Sequence, residues 1–195
     1  MTQLVIATTN EGKLREIVDI LNGVPIELLT LRDFPQVPEP EETEATFAGN
    51  ARMKALYYAA AIGLPAVADD SGLEIAALDG APGVQSARWY GTDYSFKFQK
   101  IRELLRERGL DGSAARFVCR VALARSDGIL FEAEGNVEGE LAAEPKGTNG
   151  FGYDPIFVYP PAARTLAELT PEEKAKVSHR GKAFRQLREF LTRSA

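Results

Sequence analysis

Cysteine and histidine are nearly absent from this chain of 195 residues, which holds one of each, Cys119 and His179. A single cysteine excludes an intrachain disulfide, a CxxC redox pair and a cysteine-rich zinc site. A single histidine excludes HExxH and any polyhistidine metal site. It also leaves no credible Ser-His-Asp set, since His179 lies beside Arg180 and no GxSxG serine is present. No run of about 18 apolar residues occurs, so no transmembrane helix is expected. The first residues, Met-Thr-Gln-Leu-Val-Ile-Ala, lack a basic stretch followed by an apolar one. No signal peptide is therefore expected, and the default compartment is the cytoplasm.

An excess of positive charge is also missing. Lys and Arg number 23 against 28 Asp and Glu, a net charge of −5, which disfavours polymeric nucleic acid and membrane surfaces as partners. The surplus is local. Residues 33–44 hold Asp33, Glu39, Glu41, Glu42 and Glu44 with no basic residue, and elsewhere the two signs balance. What is present is ordinary globular material, 45% hydrophobic and 26% charged. The length suits one domain, or one domain with two lobes, and a core that needs no staples.

Leu4–Ala7 reads as a buried strand, and Thr8-Thr9-Asn10 supplies capping side chains for a helix carrying Leu14, Ile17, Val18 and Leu21. Pro35, Pro38 and Pro40 mark an extended acidic loop. Thr43 or Thr46 caps a second helix through Phe47, Ala51, Ala55, Tyr58 and Ile62. Pro65–Ala68 reads as a strand ending in Asp69-Asp70-Ser71-Gly72, with Leu73–Leu78 a further short strand or edge segment. A third helix fits Tyr94–Arg108. Alternating residues around Phe117–Leu123 and Ile129–Val137, joined by Ser126-Asp127-Gly128, predict a hairpin. A glycine-rich loop over 146–154 and a short strand at Ile156–Val158 follow. Thr170-Pro171-Glu172-Glu173 begins a helix, and the last helix carries Phe184, Leu187 and Leu191. Early strand–helix units around a hairpin predict an α/β fold with a mixed sheet.

Four segments could carry chemistry. Thr8-Thr9-Asn10-Glu11-Gly12-Lys13 is either a plain cap with a surface lysine or an anion site at a helix N-terminus. Asp69-Asp70-Ser71-Gly72 is either a turn or a carboxylate pair for a divalent ion, which Glu41 and Glu42 could complete. In Gly147–Pro155, Phe151 sits between Gly150 and Gly152, suiting either an ordinary loop or an aromatic that stacks on a base. Ser178-His179-Arg180-Gly181, with Lys174 a turn earlier, offers donors for a base carbonyl or a phosphate. Asn50 and Lys54 share a helix face, which could be merely solvated. Together these describe a triphosphate site.

The residues also resemble a known family. Thr8-Thr9-Asn10-x-x-Lys13, Asp69-Asp70-Ser71-Gly72-Leu73, Gly80-Ala81-Pro82-Gly83 with Ser86-Ala87-Arg88, Phe151-Gly152-Tyr153-Asp154-Pro155 and Ser178-His179-Arg180-Gly181 occur in the order and spacing of the Ham1/RdgB-type inosine triphosphate pyrophosphatases. The resemblance spans essentially the full chain as one domain. It implies an α/β fold with an elongated mixed sheet flanked by helices, two lobes with a central active-site cleft, and a homodimer. It also implies Mg²⁺-dependent cleavage of dITP, ITP and XTP to the monophosphate and pyrophosphate. Thr8, Thr9, Asn10, Glu11, Gly12 and Lys13 match the phosphate segment, and Lys54 matches a lysine near it. Asp70 matches the catalytic base and a metal ligand, and Ser71 a substrate contact. Phe151, Gly152, Tyr153, Asp154, Lys174, His179 and Arg180 match residues around the nucleobase. Glu41 is favoured as the second metal ligand, with Glu42 one residue away. The competing readings are a nucleotide-binding module without turnover and a pyrophosphatase that accepts canonical nucleotides.

Overall fold

The computed structural model describes residues 1–193. Five α-helices and seven strands follow one another along it. These are β1 (Gln3–Ile6), α1 (Glu11–Leu21), β2 (Glu27–Thr30), α2 (Phe47–Ile62), β3 (Ala66–Ile75), α3 (Tyr94–Glu107), β4 (Ala114–Arg125), β5 (Gly128–Leu141), β6 (Phe157–Tyr159), β7 (Arg164–Thr165), α4 (Pro171–Val177) and α5 (His179–Arg193). The strands form one sheet in the order β2-β1-β3-β4-β5-β6-β7. It is mixed, as expected: β1 runs parallel to β2 and β3, while β6 runs antiparallel to β5 and β7. Among the described residues no helix is long and apolar enough to cross a membrane.

The chain divides into two compact units. The first comprises Met1–Asp70, Cys119–Gly135 and the chain from His179 on; the second comprises Ser71–Val118 and Asn136–Ser178. Period-2 alternation explains the first unit. Leu4, Ile6, Val67, Cys119, Val121 and Leu123 point to one face, against Ile17 and Leu21 of α1 and Phe184 and Leu187 of α5. Val5, Ala7, Ala66, Ala68, Ala122 and Ala124 point to the other, against Ala51, Ala55, Tyr58 and Ala59 of α2. Alanine on both surfaces lets α2 lie close on its strands. Gly135 serves the same end on β5, because a Cβ there would stand 2.1 Å from the His179 carbonyl oxygen. The second unit packs Leu73, Ile75, Ile101, Leu105, Phe117, Tyr153 and Phe157 into its own core.

The expected turn at Asp69–Gly72 does not form. β3 continues through Asp69, Asp70, Ser71 and Gly72 to Ile75, so the two carboxylates sit inside a strand and not beyond its end. β1 pairs only with Ala66 and Val67, and it is the place of β3 beside β4 in the sheet that overrides the turn preference of Asp, Ser and Gly. The segment 76–78, expected as strand, is a 3₁₀ turn. Two strands give no pattern in the sequence: β2 and β7 are edge strands of four and two residues, too short to alternate visibly.

Candidate active site

The alternation of side chains along the unbroken β3 organises the first constellation. Successive side chains on a strand face opposite ways, so Asp69 and Asp70 address different helices. Asp69 lies on the α1 and α5 face. Its Oδ2 is 3.1 Å from Lys13 Nζ and 3.4 Å from an Arg180 nitrogen, and Cys119 Sγ donates to it at 3.8 Å. The other Arg180 nitrogen donates to Glu16 at 2.7 Å. Asp69 Oδ1 is buried without a hydrogen-bond partner. Burial alone would raise the Asp69 carboxyl, but Lys13, Arg180 and Lys54 outweigh it and hold the group well below the usual carboxylate range.

Asp70 lies on the α2 face. Asn50 Nδ2 donates to its Oδ2 at 3.0 Å, and Lys54 Nζ is 3.8 Å from its Oδ1. Lys54 also makes a short ion pair with Glu42. Here burial prevails and pushes the Asp70 carboxyl upward, against Lys54 and Lys13, with the charge of Glu42 adding to the rise. Burial works against the Lys54 ammonium too, yet Asp70, Asp69 and Glu42 keep it charged. The two adjacent aspartates thus differ in kind. Asp69 is a neutralised hub, whereas Asp70 is a strained anion that gains from added positive charge.

The acidic loop reaches Asp70 through α2. Thr46 caps α2 by accepting from Gly49 N, Asn50 Oδ1 accepts from Glu44 N at 3.0 Å, and Tyr57 Oη donates to the Pro38 carbonyl at 3.0 Å. This tether brings Glu42 to Lys54 and leaves Glu41 exposed. Asn50 and Lys54, which could have been a solvated face, are buried. At the start of α1, Asn10 accepts from Lys13 N at 3.0 Å, and Thr8 Oγ1 accepts from Asn10 N at 3.2 Å. Thr9 donates to Glu39, and Glu11 pairs with Arg32. Gly12 lies within the first turn.

The second constellation belongs to the second unit. Asp154 Oδ2 accepts from Phe151 N at 2.8 Å and from Lys174 Nζ at 2.5 Å, and Lys174 stands 4.7 Å over the half-buried Phe151 ring. Gly150, at φ +72°, has no room for a side chain, since a Cβ would meet Asp154 Oδ2 at 2.2 Å. Tyr153 turns inward instead: its side chain is core, and its Oη donates to the Ser86 carbonyl at 3.0 Å. Ser71 is half-buried on β3. His179 and Arg180 open α5 in the first unit, both buried, and Arg180 pairs there with Glu16 and Asp69.

The profile of the Ham1 family matches residues 4–190. The chain belongs to the Ham1 family. It is 51% identical over 188 residues to the dITP/XTP pyrophosphatase of Syntrophobacter fumaroxidans, a match covering 96% of this chain and 81% of that protein. It is also 51% identical to the dITP/XTP pyrophosphatase of Rhodospirillum centenum, over 94% of this chain and 92% of that protein. A solved Ham1 protein from Coxiella burnetii superposes with a TM-score of 0.91 at 44% identity, over 99% of this chain and 100% of that one.

In this Ham1-family chain Asn50, whose spacing from Lys54 the sequence showed without deciding between a solvated and a functional face, fixes both Asp70 and the acidic loop. One buried group has no signal in the sequence. Lys97 is fully buried in the second unit, where burial lowers the pKa of its ammonium. Nothing in its local sequence distinguishes it from Lys100, which is surface-paired with Glu103.

Proposed function

We propose that this chain hydrolyses non-canonical purine nucleoside triphosphates, dITP, ITP and XTP, to the monophosphate and pyrophosphate with Mg²⁺. The observation that carries the reading is the divergence of Asp69 and Asp70 on β3. It leaves one buried carboxylate, Asp70, in need of positive charge beside Lys54 and Glu42. The relatives' names supply the substrate class.

The donor set suits Mg²⁺. Among the described residues no group of three or more His, Cys, Asp or Glu could hold a metal ion alone. Mg²⁺ commonly takes one or two carboxylates and completes its shell with water and substrate phosphates. Asp70 and Glu42 would supply those carboxylates, with Glu41 the neighbour to compare. When bound, Mg²⁺ neutralises charge developing on the phosphate oxygens.

The chain's own residues do the rest. Asp70 orients the attacking water at the α-phosphorus and accepts its proton, a role matched to a carboxyl raised above its ordinary range. Lys54, Lys13 and the α1 N-terminus with Thr8, Thr9, Asn10, Glu11 and Gly12 hold the phosphates, where the barrier is largely electrostatic. Arg180, through Asp69, keeps Lys13 in place. Phe151 stacks on the purine, Gly152 gives it room, and Lys174 donates to the 6-oxo group, with His179 and Ser71 as further contacts. Adenine presents a donor where inosine presents an acceptor, so it would leave Lys174 facing another donor.

The test is a panel of nucleoside triphosphates assayed for monophosphate and pyrophosphate, with Mg²⁺ and with EDTA. Cleavage of dITP, ITP and XTP well above ATP and GTP, abolished by EDTA, is the expected result. Flat turnover across the panel, or binding with no turnover, overturns the reading.

A further inference from the structure

We propose that Lys97 is a positioning residue for nucleobase selection, acting as a buried cation that locks the Gly83–Ala87 loop to the segment bearing Phe151 and Asp154. The proposal rests on the assignment of that segment to the purine. Among the described residues no carboxylate pairs with Lys97. Its Nζ instead donates to the carbonyl oxygens of Ser86 at 3.0 Å and Ala87 at 2.8 Å. The same ammonium lies 4.3 Å over the ring of Tyr94 and 5.6 Å over that of Tyr153.

An ammonium buried without a counter-ion is costly, and a methionine would fill the volume without that cost. Two carbonyl dipoles and two aromatic faces hold the charge here. The arrangement has a directional consequence that an apolar side chain lacks. The Ser86 carbonyl receives both Lys97 and Tyr153 Oη, so the loop and Tyr153 share one anchor. Ser86 Oγ donates to the Gly83 carbonyl at 2.6 Å and accepts from Leu73 N at 2.9 Å, which ties the anchor to β3. On the other side, Tyr94 packs edge-on to Tyr153, with centroids 5.1 Å apart, and lies 3.6 Å from where a Cβ of Gly152 would stand. Tyr94 and Lys97 are one turn apart on α3, so a single helix face supports Gly152 and Tyr153. Those two residues connect Phe151 to Asp154, whose carboxylate orders Phe151 N and Lys174. Lys97 therefore acts on the purine through Tyr153 and never touches it.

Lys97→Met is the decisive variant, with Tyr153→Phe as the second because it deletes only the Oη donor and keeps the ring. In Lys97→Met, KM for dITP is expected to rise about tenfold while kcat falls no more than about twofold, the pattern of lost uniform binding. Inhibition by inosine monophosphate should weaken in parallel, whereas inhibition by inorganic pyrophosphate should hold. Tyr153→Phe should shift KM the same way, and the double variant should fall short of the product of the two effects. Equal weakening of both inhibitors, multiplicative effects, or a lowered melting temperature with unchanged KM would overturn the role of Lys97. Failure of the native enzyme to cleave dITP would instead overturn the substrate assignment, a separate result read before any variant is made.

Discussion

Replacing each of the paired aspartates by asparagine should give opposite results, although the residues are adjacent and the substitution is the same. Asp69→Asn removes the negative charge shared by Lys13 and Arg180, whose guanidinium is buried. Breaking a buried pair by deleting one partner costs about 3–5 kcal/mol when the remaining charge stays uncompensated; Arg180 keeps Glu16, so the loss should lie at the lower end, about 3 kcal/mol. For a chain of this size that corresponds to a melting temperature lowered by roughly 6–12 °C. Asp70→Asn removes an anion that burial already disfavours, and an asparagine oxygen can still accept from Asn50. Its stability should be unchanged or raised. Turnover of dITP, by contrast, should collapse in Asp70→Asn far more than binding does.

The pH dependence adds a sign. The Asp69 carboxyl is held below its unfolded value near 3.9, so its contribution is complete above that pH and fades as pH falls below it. Asp69→Asn should therefore flatten the acid limb of a stability–pH curve, and Asp70→Asn should not. Denaturant unfolding at several pH values, with turnover measured alongside, decides the matter. Equal losses of stability in the two variants, or none in Asp69→Asn, would refute the division of labour between the two faces of β3.

Three further outcomes are expected. Glu42→Gln should raise the Mg²⁺ concentration needed for half-maximal turnover more than Glu41→Gln does, since Glu42 is the one paired with Lys54; the reverse order in a Mg²⁺ titration would restore Glu41. Lys174→Met should erode the preference for ITP over ATP by about 10-fold or more, on the scale of an unpaired buried donor, as read from kcat/KM ratios. Gly135→Ala should destabilise the fold by more than about 1–3 kcal/mol of overpacking, because the clash is with the backbone of α5 and not a movable side chain; thermal unfolding within 2 °C of the native chain would contradict it.

The division between what sequence and tertiary structure decide follows from the range of the forces involved. Capping, helical periodicity and the two-residue hairpin turn act over a few residues, so α1, α2, α3 and the β4–β5 hairpin were legible in the chain. The near absence of cysteine and histidine, and the ordered motifs from Thr8 to Gly181, narrowed the chemistry to oxygen ligands, lysines and an aromatic. The sequence could not show that Asp69-Asp70 lies within a strand, because only pairing with neighbours distant in the chain makes a turn-forming tetrad extended. Once it is extended, a period of two sends one carboxylate to Lys13 and Arg180 and the other to Lys54 and Asn50. The same long-range packing brings Glu42, and not the exposed Glu41, to Lys54, turns Tyr153 inward, and hides Lys97. Inventory and order were set by the sequence; which charge meets which was set by the fold, since a charge's partner lies across the chain and its dielectric surroundings exist only after packing.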